Sequence, residues 1–130
     1  MRLLALAIAM TTMTAAHADA APDARILRTL KRLGPTDRIE QLCDYTAMLH
    51  IRKDARRYHP DRAVAGAVSE PKLGPNSIDA KGAAFRSRGH WYEMAYSCAT
   101  TPDHLQVLKF SLSIGKEIPQ SSWATYGLWQ

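Results

Sequence analysis

Cysteine is scarce in this chain, with only Cys43 and Cys98 among 130 residues. Their spacing forms no C-x-x-C element, which leaves redox-pair and zinc-knuckle readings without support. Glycine-rich phosphate loops are absent, as is any G-x-S-x-G element, so nucleotide-binding and α/β-hydrolase chemistry have no foothold. His50, His59, His90 and His104 show neither i, i+4 nor H-x-H pairing, and no metal site or cofactor is expected from them. No apolar run reaches the ~20 residues that a spanning helix needs. Internal repeats and linkers are also missing, and the length suits one domain.

What is present begins with the first twenty residues. Met1-Arg2 is followed by an apolar stretch from Leu3 to Met13, then by small residues offering cleavage at Ala16-His17-Ala18 or Ala18-Asp19-Ala20. A basic start, a short apolar core and an A-x-A site predict a secretory signal peptide over residues 1–20. Cys43 lies too far downstream to be a lipid-anchored cysteine. The expectation is an exported, periplasmic product with no transmembrane segment after cleavage, and a single α+β domain over residues 21–130.

Export gives the two cysteines a meaning. Oxidising compartments favour disulfides, and two cysteines allow one intramolecular pairing, Cys43 with Cys98. Closing the intervening residues 44–97 is worth roughly 4 kcal/mol at most in chain entropy. The formal net charge is +5. In an exported protein that points away from nucleic acid; an acidic envelope protein or an anionic envelope component would be attracted, while the same modest charge is explained by solubility alone.

Hydrophobic spacing places a helix over Ile26, Leu27, Leu30 and Leu33, ended by Gly34-Pro35. A second helix is expected from Thr36-Asp37, with Glu40 completing a capping box and Ile39, Leu42, Cys43, Thr46, Leu49 and His50 on one face. Arg52, Lys53, Arg56 and Arg57 crowd its last turns, where the helix dipole favours cations. Arg62 to Val68 reads as a short strand and Ser69 to Pro75 as a loop. Ala84 to Ser87 and His90 to Cys98 form a hairpin around Arg88-Gly89, with Tyr92, Met94, Tyr96 and Cys98 on one side. Leu105 to Ile114 is a further strand with Leu108, Phe110, Leu112 and Ile114 on its apolar face. Pro119 opens a short C-terminal helix through Trp123 and Tyr126, ending at Gly127. Eight of ten aromatics fall between Phe85 and Trp129, so the dense core belongs to this half. The fold expected is an antiparallel β-meander packed against N-terminal helices.

Tyr58-His59-Pro60-Asp61-Arg62 resembles the His-Pro-Asp turn of J-domain co-chaperones over about ten residues. That fold requires another amphipathic helix, whereas here Pro71, Gly74 and Pro75 follow; a capping or Asx-turn role for Asp61 explains the same residues. The better binding pattern is the basic hairpin, where Lys81, Arg86 and Arg88 accompany Phe85, Trp91 and Tyr92, although a solvated turn over a packed aromatic core explains the same residues. The contact surface expected is Arg62, Arg86, Arg88 and Trp91, beside Asp61.

Several marks together carry a longer resemblance. They are Glu40-Gln41, Cys43-Asp44, Pro60-Asp61-Arg62, Ala83 to Gly89, Trp91-Tyr92, Cys98, Pro102 to Leu105 and Tyr126 to Trp129. On these residues the chain resembles the bacterial domain-of-unknown-function family numbered 930 over about residues 34–129. The resemblance implies no activity, substrate or catalytic residue; it places both cysteines inside the shared pattern and leaves His59 outside it. The function expected is a non-catalytic binding or interaction module of the envelope. The alternative is a small hydrolase or lyase acting on an envelope component, with Asp61, Asp103 and His104 as acid–base groups.

Overall fold

The computed structural model describes residues 22–130, so the signal-peptide reading of residues 1–20 lies outside the described residues. Two helices, α1 (Ala24–Leu30) and α2 (Pro35–Asp54), precede five strands: β1 (Pro60–Val64), β2 (Lys72–Leu73), β3 (Ser77–Ser87), β4 (His90–Thr100) and β5 (Val107–Glu117). No helix among the described residues is long and apolar enough to cross a membrane. The strands pair antiparallel in the order β1-β3-β4-β5, and β2 also pairs with β3. The expected α+β architecture is the one observed.

α1 starts where Asp23 accepts the backbone N–H groups of Arg25 and Ile26, satisfying donors that an opening turn leaves free. Its end is stitched by a neighbour: the Arg38 guanidinium donates to the carbonyls of Leu30, Lys31 and Leu33, and also to that of Asp103 in the β4–β5 loop. Gly34 is the N-cap of α2 rather than a C-cap of α1, and Pro35 occupies the first turn. Asp37 therefore sits inside the helix and forms no capping box. A proline at this position needs no N–H partner and already has the helical φ, which sets the start two residues early.

The buried face of α2 runs through Ile39, Leu42, Cys43, Thr46, Ala47 and Ile51, while Leu49 is exposed. The helix is thus rotated from the expected stripe towards Ala47, whose small side chain lets the sheet approach. The Cys43–Cys98 disulfide is formed and ties α2 to β4. Around it pack Phe85, Met94, Tyr96 and Val107.

The hairpin between β3 and β4 turns on Arg88 (φ 51°) and Gly89 (φ 79°). Two successive left-handed residues match the right-handed twist of the flanking strands. β3 also bulges between Ala80 and Ala83, and a Cβ on Gly82 would overlap the backbone of Ser69. At the start of β5 the register shifts between Ala99 and Thr100, leaving Leu108 without a cross-strand partner and 53% exposed. Leu108 is therefore not part of the apolar face formed by Phe110, Leu112 and Ile114.

The opposite face of the sheet is closed by the C-terminal segment. Trp91, Ala84, Ile118, Trp123 and Leu128 form a second cluster there. The expected C-terminal helix is only a 3-10 turn, Gln120–Ser122, because the segment bends to lay both Trp123 and Leu128 on the sheet.

Candidate functional site

The binding residues expected from sequence separate into three environments. Trp91 is fully buried, with its indole N–H donating to the Trp129 carbonyl at 2.7 Å. It belongs to the core under the C-terminal segment and offers no contact surface. Arg86 is committed to Asp61, its Nε and Nη2 donating to the two carboxylate oxygens at 3.0 and 2.8 Å. Asp61 occupies the bulge where β1 shifts register between Pro60 and Arg62, which aims its carboxylate across to β3. Hydrogen bonds from Arg86 hold the Asp61 carboxyl below the usual carboxylate range. Arg62 lies exposed on the same strand and donates to the Asp61 carbonyl. Arg88, at the hairpin tip, is exposed and makes no ion pair among the described residues.

The proposed acid–base group is not brought together. Asp103 folds back on its own turn, accepting from the Thr101 hydroxyl and the Leu105 N–H, which lower its pKa. His104 is buried, in the left-handed region, and its ring nitrogens face the carbonyls of Pro35 and Pro75 at 3.0 and 2.9 Å. It braces α2 to the segment before β3. Asp61 lies beside the other end of β3, about 30 Å away at the usual rise per residue. His104 and Asp103 therefore build a loop, and Asp61 builds a strand edge.

Around Arg88 the hairpin end opens into a cleft of about 530 Å³. Arg57 reaches it from the segment after α2, Ser87 and Arg88 from the hairpin, His90 and Tyr92 from β4, and Lys116 and Glu117 from the end of β5. Tyr58 forms the floor, its ring edge-on to Phe85 and to Tyr92. The Arg57 guanidinium lies 4.6 Å from the Tyr58 ring centre and donates to its hydroxyl at 2.6 Å. Glu117, the one carboxylate in the lining, is 3.0 Å from His90. Burial, then the charge of Glu117, raises the Tyr92 phenol above its ordinary pKa and keeps it protonated. Three cations against one carboxylate leave the lining with a net +2 when His90 is uncharged.

A second polar feature lies between α2 and the sheet. Asp44, 5% exposed, accepts the Tyr96 hydroxyl at 2.8 Å. Burial pushes its carboxyl up to about 7, opposed by the Tyr96 hydrogen bond and assisted by Glu40 one turn earlier. The Tyr96 phenol is raised as well, by burial and by Asp44. A groove of about 260 Å³, walled by Leu30, Tyr45, Met48 and Ala63, leads to Asp44.

Sequence reasoning missed Arg57, Tyr58, Ser87 and Lys116 as one site. The available signal was the cation excess of residues 52–57, which the helix dipole explains equally well. Asp44 was signalled only by adjacency to Cys43 on an inward face. Among the described residues, no group of three His, Cys, Asp or Glu side chains could hold a metal ion. Comparison with known families matches residues 30–128 to the model described as Domain of Unknown Function (DUF930). No curated protein and no solved structure matches the chain.

Proposed function

The chain belongs to the DUF930 family, and from that premise we propose that it is a small exported protein of the cell envelope whose role is non-catalytic binding of an anionic envelope component. The observation that carries the reading is the cleft in which Arg57, Arg88 and Lys116 converge with a single carboxylate. Convergent cations with low-dielectric aromatic walls concentrate an acidic partner and strengthen its bonds. The periplasmic location is supported by the basic, apolar and A-x-A pattern of residues 1–20 and by the Cys43–Cys98 bridge.

The test is retention of purified protein on envelope extract with increasing salt. Wild type is expected to bind and to be released by salt, because exposed charges are screened. The double variant Arg88→Glu/Lys116→Glu is expected to lose retention, with an unchanged melting temperature. Equal retention of the two proteins would defeat the proposal.

A further inference from the structure

The chemistry of the cleft narrows the ligand. Resting on the binding reading above, we infer that the cleft receives a phosphomonoester carried on a larger polar body, such as a sugar phosphate. The first argument is donor surplus. The Ser87 hydroxyl accepts the His59 N–H at 2.8 Å, and the Tyr58 hydroxyl accepts from Arg57. Each hydroxyl keeps its own proton to donate, and among the described residues neither proton meets an acceptor within bonding distance. Both groups are buried at the floor, Ser87 at 4% and Tyr58 at 8% exposed. Arg57, Arg88 and Lys116 add only donors. A ligand that only accepts satisfies all five groups.

The second argument is charge. A phosphomonoester carries about −1.5 to −2 at neutral pH and presents three acceptor oxygens. It balances the lining's +2, whereas a carboxylate or sulfate ester, each a monoanion, leaves half of that charge uncompensated. The third argument is size. At about 530 Å³ the cleft lies within the range of small-molecule sites and leaves room for a body beyond the anionic group. Glu117 and His90, 3.0 Å apart on the rim, offer a carboxylate acceptor and an imidazole to that body's hydroxyls or amine.

Calorimetric titration at pH 7.5 with glucosamine 6-phosphate, glucosamine 6-sulfate and glucuronate tests this, alongside vesicles containing phosphatidic acid. The phosphate ester is expected to bind at least about tenfold more tightly than the sulfate ester of the same sugar. Binding of glucosamine 6-phosphate identifies a soluble ligand; binding only to phosphatidic acid vesicles identifies a lipid headgroup of the same chemistry. The variant Arg88→Gln/Lys116→Gln should abolish the preference, while Arg62→Gln, outside the cleft, should retain it. Tyr58→Phe keeps the ring and should weaken the phosphate ester alone. Equal affinities for phosphate and sulfate esters would overturn the phosphomonoester assignment and leave the anionic reading standing. Absence of binding to every anionic probe would overturn both.

Discussion

Asp44 shows how one side chain can set the pH at which this protein is most stable. In the unfolded chain its carboxyl has the ordinary aspartate value of 3.8, and in the fold it is pushed up to about 7. The native state therefore keeps a proton that the unfolded state loses. Its contribution is complete below pH 3.8 and declines as pH rises to about 7, by on the order of 4 kcal/mol at most. Asp61 and Asp103, with lowered values, act oppositely and lose their small contributions as the solution becomes more acidic than their folded pKa. Urea denaturation from pH 4.5 to 8 should show stability falling with pH in wild type. Asp44→Asn, which can still accept the Tyr96 hydroxyl, should flatten that profile and be the more stable protein at pH 8. At the neighbouring strand edge, Arg86 and Arg88 should separate by the same kind of measurement. Arg86→Glu faces Asp61 and should cost about 1 kcal/mol, a melting shift of several degrees, since half the pair is solvent-screened. Arg88→Glu should leave melting unchanged, because its side chain is exposed and makes no ion pair among the described residues.

Between elements, the Cys43–Cys98 bridge is a covalent cross-link from the helical layer to the middle of the sheet. Replacing both cysteines with alanine should lower stability by roughly 2–4 kcal/mol, read as a reduced urea midpoint with a steeper slope, because the unlinked unfolded chain exposes more surface. This link and most strands were legible beforehand because they depend on local pattern: strict alternation around Tyr92 to Cys98, a glycine turn, and two cysteines with one possible pairing. What escaped was set by tertiary contacts. Pro35 rather than Asp37 begins α2, and its rotation puts Ala47 rather than Leu49 under the sheet. A bulge turns Leu108 outward, and no alternation pattern reports an inserted residue. The cleft escaped for the same reason. Its cations come from three separated segments, 57, 88 and 116, and only the antiparallel register of β4 with β5 brings the last two to one end. Arg38 was likewise silent in sequence, yet it closes α1 against the β4–β5 loop through four carbonyls.

At the scale of the molecule, both faces of the sheet are covered, and by different means. The helical layer covers one; the twelve-residue tail after Ile118 covers part of the other. The tail has almost no regular structure, so buried side chains and a backbone acceptor hold it down. Trp123 is buried and its indole N–H donates to the Ile118 carbonyl at 3.0 Å, whereas Trp129 is 47% exposed and contributes a backbone acceptor to Trp91. The two tryptophans should therefore respond differently to truncation. Trp123→Ala leaves a cavity over Trp91 and should cost about 3 kcal/mol or more. Trp129→Ala removes a half-exposed ring that packs edge-on to Trp91 at 5.3 Å but keeps the carbonyl, and should cost about 1 kcal/mol, less than Trp123→Ala. Deleting residues 129–130 removes that carbonyl too, leaving the Trp91 N–H to find water at the newly opened edge. Its signature would be a red-shifted tryptophan emission accompanying a loss of stability greater than that of Trp129→Ala. If the deletion and the substitution prove equal, the tail is held by Trp123 and Leu128 alone. The cleft, at the hairpin end and on the helical side of the sheet, should keep its affinity in Trp129→Ala, so ligand titration of that variant separates the packing of the tail from the binding surface.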